Sequence, residues 1–218
     1  RIGDGSHPAD GIYVMLKEVI DNSVDEFIMG EGRKIEITRS GAEITVRDFG
    51  RGIPLGKVVD CVSQINTGGK YNDDVFQFSV GLNGVGTKAV NALSREFEVA
   101  SYRDGKFKRA TFQRGRKTGE QGGKESKEKS GTLIRFVPDP EIFGDAAFDE
   151  EHVGRRIRLY TYLNAGLSIR WGEEVFVSEE GLRDLVEEVL THSEGIEPDT
   201  LDEIRRYTKL FWVNNGPH

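Results

Sequence analysis

A single cysteine, Cys61, stands among the 218 residues, so no disulfide framework can be closed within the chain. It reads as a small apolar filler of a short helix. No apolar run approaches the roughly 20 residues that a membrane span needs, and no signal-peptide pattern opens the sequence. Metal-ligand spacing is missing too: His7, His152, His192 and His218 stand far apart. Positive charge is in deficit, with 30 basic against 37 acidic residues and a formal net charge of −7. That balance excludes a general basic footprint for nucleic acid, so any DNA contact must be local or belong to another chain. No internal repeat is present. Together these absences describe a soluble protein of a reducing compartment.

What the chain has in excess is glycine, with 27 residues. That is about 12% of the chain, against a usual level of about 7%. Eight of these glycines fall between Gly50 and Gly86, where a ligand could approach backbone. A chain of this length buries about 70% of its unfolded surface, enough for a substantial core.

Ile12, Leu16, Val19, Ile20, Val24, Phe27 and Ile28 recur at helical spacing. They predict an amphipathic helix from about Ile12 to Met29, with these residues as its buried stripe. Glu18, Asn22, Asp25 and Glu26 occupy its other face, and Gly30 and Gly32 stop it. Alternation over 33–39 and 43–48 predicts a hairpin. A second follows over 96–103 and 106–114 around Asp104-Gly105, a strong two-residue turn signal. Short helices are expected over 57–66 and 87–93, the second with Ala89, Val90 and Leu93 inward, and a glycine-broken loop lies between them. Residues 115–130, rich in glycine and charge, read as a mobile surface loop, and 131–137 as a strand ended by Pro138 and Pro140. A helix over 149–163, strands over 167–171 and 174–177, and helices over 180–190 and 199–211 complete the chain. The hairpins argue against a purely parallel, doubly wound sheet. The expectation is one α/β domain over 1–218: a two-layer α+β sandwich with a mixed, largely antiparallel sheet and helices on one face.

Three blocks could carry chemistry. Glu18 and Asn22 are four apart and share a helix face. A carboxylate can take a proton from water, and an amide oxygen can ligate a hard cation; the same pattern also serves as a solvated polar face. Asp48-Phe49-Gly50-Arg51-Gly52-Ile53-Pro54 ends a strand. An ionised aspartate only accepts, which suits an exocyclic amine, and the glycines let a flat ring approach backbone; an ordinary glycine-rich turn is the bland alternative. The Asp48-Phe49-Gly50 triplet lacks the companion motifs of a protein kinase. In Gly81-Leu82-Asn83-Gly84-Val85-Gly86-Thr87-Lys88, successive N–H groups before a helix could form an anion nest. Thr87-Lys88 stands in the reverse of the Walker order, and no βαβ unit supports a dinucleotide fingerprint. The Lys106, Lys108 and Arg109 cluster reads as a solvated hairpin face.

In this order, with a glycine lid and a strand opening on Gly131-Thr132, the blocks resemble the Bergerat-type ATP fold. That superfamily holds gyrase, the ninety-kilodalton heat-shock chaperone, histidine kinases and mismatch-repair ATPases. Gly68-Gly69-Lys70-Tyr71 and residues 79–94 resemble, more narrowly, the B subunits of bacterial type IIA topoisomerases. The resemblance covers about 1–171; residues 178–218 match less securely and contribute no site residue.

The resemblance implies ATP and Mg²⁺ as cofactors, with Glu18 as the general base that polarises the attacking water. Asn22 would hold Mg²⁺ against the phosphates. Asp48 would accept the adenine amino group, with Thr132 and a water completing the polar edge and Gly52 beside it. Val19, Ile53, Pro54, Val62 and Ile134 would sandwich the ring. Arg51 and Arg109 would stand at the pocket mouth, where aminocoumarin inhibitors of the family bind. Lys70 and the amides of Leu82, Asn83, Gly84, Val85 and Gly86 would neutralise phosphate charge; Asn83 replaces the histidine of many members, making that contact neutral.

At the level of the whole enzyme, the resemblance implies ATP hydrolysis that drives DNA strand passage, with the A subunit and DNA as partners. It implies a bacterial, cytoplasmic, nucleoid-associated location and no membrane. The shortened stretch between Pro54 and Gly68, with Val80-Gly81-Leu82-Asn83, leans toward the topoisomerase IV branch. The rival readings are a non-hydrolysing nucleotide-binding or interaction module, which needs no Glu18, and the kinase, chaperone or repair types of the same fold. The transducer domain, the DNA-cleavage partner domains and the N-terminal arm of the family are not in the chain. It is therefore expected to be an excised domain, monomeric and weakly active alone, whereas the intact subunit dimerises on nucleotide.

Overall fold

The computed structural model describes residues 8–63, 86–144 and 150–192. The first helix, α1, runs Pro8–Ile28. Its end is closed by backbone bonds from Gly30 N to Phe27 O (2.9 Å) and from Glu31 N to Glu26 O (2.8 Å), with Gly30 at φ +84°. This is the reciprocal pattern that a glycine in left-handed geometry completes at a helix terminus. Ile12, Leu16, Val19, Ile20 and Val24 are buried as the periodicity predicts, and so is Met15. Phe27 is half-buried against the core, but Ile28 is 58% exposed. Steps of about 100° per residue carry Ile28 past the edge of the stripe centred on Leu16, Val19 and Ser23.

Strands β1 (Lys34–Ser40) and β2 (Glu43–Asp48) form the first hairpin. A 3₁₀ turn (Leu55–Lys57), α2 (Val58–Ser63) and α3 (Gly86–Ala92) follow. Then come β3 (Ser94–Arg103), β4 (Lys106–Gln113), β5 (Arg116–Glu125) and β6 (Gly131–Pro138). The remaining elements are α4 (Pro140–Phe143), α5 (Glu150–Leu163), β7 (Ser168–Trp171), β8 (Glu174–Phe176) and α6 (Leu182–His192). The eight strands make one sheet in the order β5-β4-β3-β6-β2-β1-β7-β8. Only the β1–β7 pair is parallel. The expected mixed, largely antiparallel sheet is what forms.

Register explains why helices cover one face. Cross-strand partners Ile37, Val46, Ile134, Val99 and Ala110 make one apolar row, and Ile44, Phe136, Phe97 and Phe112 the next. All nine are buried in one cluster with the α1 stripe. The alternate positions are polar: Thr45, Arg135, Glu98 and Thr111 stand in line, with Arg135 paired to Glu43 and Glu98. Because side chains alternate along a strand, this apolar–polar split assigns the core to one side only. Helix α1 packs on β2 and β6, α2 on β3 and β4, and α5 on β7 and β8.

A second expectation, after Ile28, is corrected. Residues 115–130 are not a loop, because 116–125 form β5, the edge strand paired with β4. Arg114 (φ 48°) and Gly115 (φ 77°) turn the chain with the same left-handed pair of conformations as Asp104-Gly105. Arginine in the first turn position concealed that signal. The glycines serve the pairing: a Cβ at Gly119 would stand 2.8 Å from Thr111 Oγ1, and one at Gly122 2.8 Å from Phe107 O. Lys108 of β4 and Lys117 of β5 itself both pair with Glu120, and their hydrogen bonds hold its carboxyl down to about 2. The helix expected over 199–211 lies outside the described residues, as do His7 and His218.

Candidate functional site

Strand β2 delivers Asp48 to the edge of the core, and glycines then free the backbone. Asp48 is 7% exposed, and its Oδ1 accepts from Gly50 N (3.0 Å) and Thr132 N (3.1 Å). Burial pushes its carboxyl up, against the two N–H bonds and the Arg47 charge, so it lies above the ordinary aspartate range. Its second oxygen accepts no bond from the described residues. Gly131 opens β6 at φ +133°, where a Cβ would stand 2.2 Å from Asp48 O. Only glycine lets β6 begin this close to the end of β2.

Beside Asp48 lies an apolar wall. Val19, Val62 and Ile134 are buried, Ile53 is half-buried against the same cluster, and Pro54 is exposed. Gly52 (φ +76°) passes so near β3 that a Cβ would meet Tyr102 O at 2.6 Å, and Ser101 Oγ donates to Ile53 O at 2.6 Å. Val46 and Ser101 belong to this wall although neither was singled out from the sequence. Val46 was within reach: it stands two residues before Asp48 on the same strand face and opposite Ile134. Arg51 is held by α1, its backbone N and Nε donating to Glu26 Oε2 at 2.9 and 3.1 Å and Nη2 to Oε1 at 2.8 Å. Burial would raise the Glu26 carboxyl, but these bonds and the Arg51 charge outweigh it and hold the carboxyl low.

At the other end, α3 begins against the polar face of α1. A Cβ on Gly86 would lie 2.0 Å from Glu18 Oε2, so the carboxylate sits directly over the first residue of α3. Asn22 Nδ2 donates to Thr87 Oγ1 (2.7 Å) and Glu18 O (2.8 Å). Its amide oxygen faces no described donor. Thr87, the partner that fixes the Asn22 amide, was not among the candidates. Among the described residues no group of three His, Cys, Asp or Glu could hold a metal by itself. One amide oxygen beside one carboxylate fits a cation that takes its other oxygens from a phosphate ligand and water, as Mg²⁺ commonly does.

The remaining candidates divide. Lys70, Leu82, Asn83, Gly84 and Val85 lie outside the described residues. Arg109 stands opposite Ala100 on β4, and by strand alternation on the polar sheet face, away from Asp48. There its Nε lies 3.4 Å from Glu98 Oε1. An open cleft of about 290 Å³ between Ile12, Arg39, Arg95 and Phe143 lies at the opposite end of β2 and contains no candidate.

A helix-covered, largely antiparallel sheet with a buried strand-end aspartate and a helix-borne glutamate and asparagine defines a nucleotide-binding class. The chain belongs to the family of histidine kinase-, DNA gyrase B- and HSP90-like ATPases, whose model matches residues 7–142. Within that family it is 55% identical over 186 residues to the DNA topoisomerase 4 B subunit of Borreliella burgdorferi, covering 85% of this chain and 31% of that protein. It is 33% identical over 215 residues to the DNA gyrase B subunit of Enterococcus faecalis, covering 90% of this chain and 34% of that one. The chain thus spans about a third of the length of these curated relatives. Its fold matches the crystal structure of the 43K ATPase domain of Thermus thermophilus gyrase B in complex with an aminocoumarin. That match has a TM-score of 0.72 at 31% identity and covers 86% of this chain and 50% of the other.

Proposed function

We propose that this chain is the ATP-binding and ATP-hydrolysing domain of a bacterial type IIA topoisomerase B subunit, of the topoisomerase IV kind. The observation that carries the reading is Asp48: a buried carboxylate with one oxygen fixed by two backbone N–H groups and the other open beside an apolar wall. Such a group recognises a flat ring that offers an N–H₂ edge. An adenine amino group donates to Asp48, while Val19, Val46, Ile53 and Ile134 take the ring faces and Thr132 closes the polar edge. Arg51, braced on Glu26, and Pro54 rim the pocket, where an aminocoumarin would also bind; Arg109, on the polar sheet face, stands apart from that rim.

Glu18 acts as general base: its carboxylate accepts a proton from the attacking water as that water meets the terminal phosphate, a role that contributes about 10²–10⁴ in rate. Asn22 offers its amide oxygen to Mg²⁺ while Thr87 holds the amide in place. When bound, the cation neutralises phosphate charge. Lys70 and the amides of 82–86 neutralise the phosphates in this reading, with Gly86 itself standing against Glu18. In the whole subunit, hydrolysis drives strand passage with the A subunit and DNA, in the bacterial cytoplasm and on the nucleoid, through a nucleotide-dependent dimer. No described helix is long and apolar enough to cross a membrane.

Titration calorimetry with a non-hydrolysable ATP analogue and Mg²⁺, and separately with an aminocoumarin, tests the reading. The parent chain binds both, and Asp48→Asn weakens the nucleotide about 10- to 100-fold, the cost of one charge-assisted bond. Equal nucleotide affinity in parent and variant would remove Asp48 from the adenine site.

A further inference from the structure

Immediately before Asp48, on the polar sheet face, Arg47 is only 8% exposed. Its guanidinium lies between two rings, 4.8 Å from the Phe49 centroid and 4.7 Å from that of Tyr102. Nη1 donates to Asp48 O, and Nη2 donates to Lys129 O. One planar, permanently charged fork therefore ties the last carbonyl of β2 to the segment that enters β6. Three residues beyond Lys129 stands Thr132, whose N–H holds the Asp48 carboxylate from the front. Between them Gly131 passes so close that a Cβ there would lie 2.4 Å from Arg47 Nη1. Burying a guanidinium is costly unless its donors are met, and here both ring faces and two backbone carbonyls meet it.

We propose that Arg47 is the positioning residue of Asp48: from behind the sheet it locks the end of β2 to the start of β6 and keeps the aspartate acceptor-only. The proposal rests on the adenine reading of the pocket and names the group that enforces it. Arg47 touches no ligand. It acts by fixing where Thr132 N–H and the carboxylate stand, and by placing positive charge against a carboxyl that burial pushes toward protonation. The charged groups around Asp48 are Arg47, Glu26 with Arg51 bonded to it, and, along the crevice by the end of α1, Glu31 and Lys34. Those facing Arg47 are Asp48, Glu36 of β1 and Glu128 ahead of β6, with Tyr102 stacked on it. A protonated Asp48 would present a donor where the amino group needs an acceptor. Arg47 thereby also disfavours a guanine edge, whose carbonyl oxygen would face the carboxylate.

Arg47→Met keeps the stacked bulk and removes charge and donors; Arg47→Lys keeps charge but loses the fork. Arg135→Gln is the control, a half-buried arginine of the same sheet face paired with Glu43 and Glu98 and not bonded to the site. In the ligand-free chain, carbon-detected NMR titration of the Asp48 carboxyl reads its ionisation without nucleotide. The midpoint is expected to move up in Arg47→Met, stay near the parent in Arg47→Lys, and not move in Arg135→Gln. Affinity for a non-hydrolysable ATP analogue falls about tenfold at pH 7 in Arg47→Met, and the loss deepens as pH falls through the raised midpoint. Thermal melts of all three show whether they fold. An unmoved midpoint in a folded Arg47→Met overturns the proposal, as does the same affinity loss in Arg135→Gln. If the parent binds no adenine nucleotide, the function reading fails, while the NMR midpoint still decides what Arg47 does to Asp48.

Discussion

At the β2–β6 end of the site, Asp48 is fixed by backbone groups and neighbours that are buried or half-buried. Asp48 takes two backbone N–H bonds, Gly131 admits the strands to close approach, and Arg47 braces the carbonyl behind. At the α1–α3 end, Glu18 and Asn22 stand on the polar side of a helix, and among the described residues beyond α1 a glycine and a threonine hydroxyl meet them. In the proposed function the contrast separates recognition from chemistry. The proposed ring site is preorganised by backbone and core, so ligand selection would be built in before binding. The groups proposed for water and cation would take the phosphates as their other partners. A second contrast lies between two carboxylates. Burial raises Asp48, whose carboxylate has no ion-pair partner among the described residues, whereas Glu26 is pulled down by the Arg51 fork.

The sharpest way to break the first contrast is Glu18→Ala. Turnover should fall about 10²- to 10⁴-fold with nucleotide affinity retained, read as phosphate release and calorimetry on a full-length subunit carrying this domain. Near-parental turnover would place the base elsewhere, with Asp25 the first suspect. Asp48→Asn should do the reverse, losing about 10- to 100-fold in affinity. It should not lower the melting temperature at pH 7. A carboxyl whose folded-state pKa is raised stabilises the fold only at low pH, and that contribution is lost as pH rises through the folded value. Asn keeps an oxygen for Gly50 and Thr132 without the buried charge, so a marked drop in melting temperature would contradict this account.

Gly86→Ala probes the chemical end more gently. The new methyl meets the Glu18 carboxylate most closely and its Cβ at 3.3 Å, so the flexible side chain must swing away and the carboxylate is displaced while the fold survives. A loss of about tenfold in turnover with unchanged affinity is expected, since misplacing a catalytic group by about 1 Å can cost up to 10²-fold. The smallest effect concerns Glu26→Gln, expected to cost about 1 kcal/mol at pH 7 in a thermal melt. Because the Glu26 carboxyl is depressed in the fold, its contribution is present above the unfolded pKa of about 4.3 and lost as pH falls through the lower folded value. Parent and variant should converge in acid; a constant gap would assign the cost to packing instead.

Local signals in the chain carried further at the site than at the sheet edge. Helix α1, the Asp104-Gly105 hairpin and the Asp48-x-Gly50-x-Gly52 strand end follow from periodicity, turn chemistry and backbone freedom, all of which act within a few residues. Strand β5 was hidden because its glycines and charges look like a loop; only a partner strand gives them a use. Ile28 read as core because periodicity does not say where the sheet ends. Nothing in the alternating run 43–48 singles out Arg47, because its cage of Phe49, Tyr102 and the Lys129 carbonyl is assembled from segments up to 82 residues apart.

What the sequence by itself determined is therefore the class of each element and the types of group available: a carboxylate and an amide on one helix face, and an acceptor at a glycine-freed strand end. Tertiary structure alone decided their relations. The eight-strand order puts β6 beside β2, which sets Thr132 N–H on Asp48, and the packing of α3 on α1 sets Gly86 beneath Glu18. It also decided charge state. Whether an aspartate is raised or a glutamate lowered depends on burial and on which cation folds against it, and both arise from contacts distant in the chain.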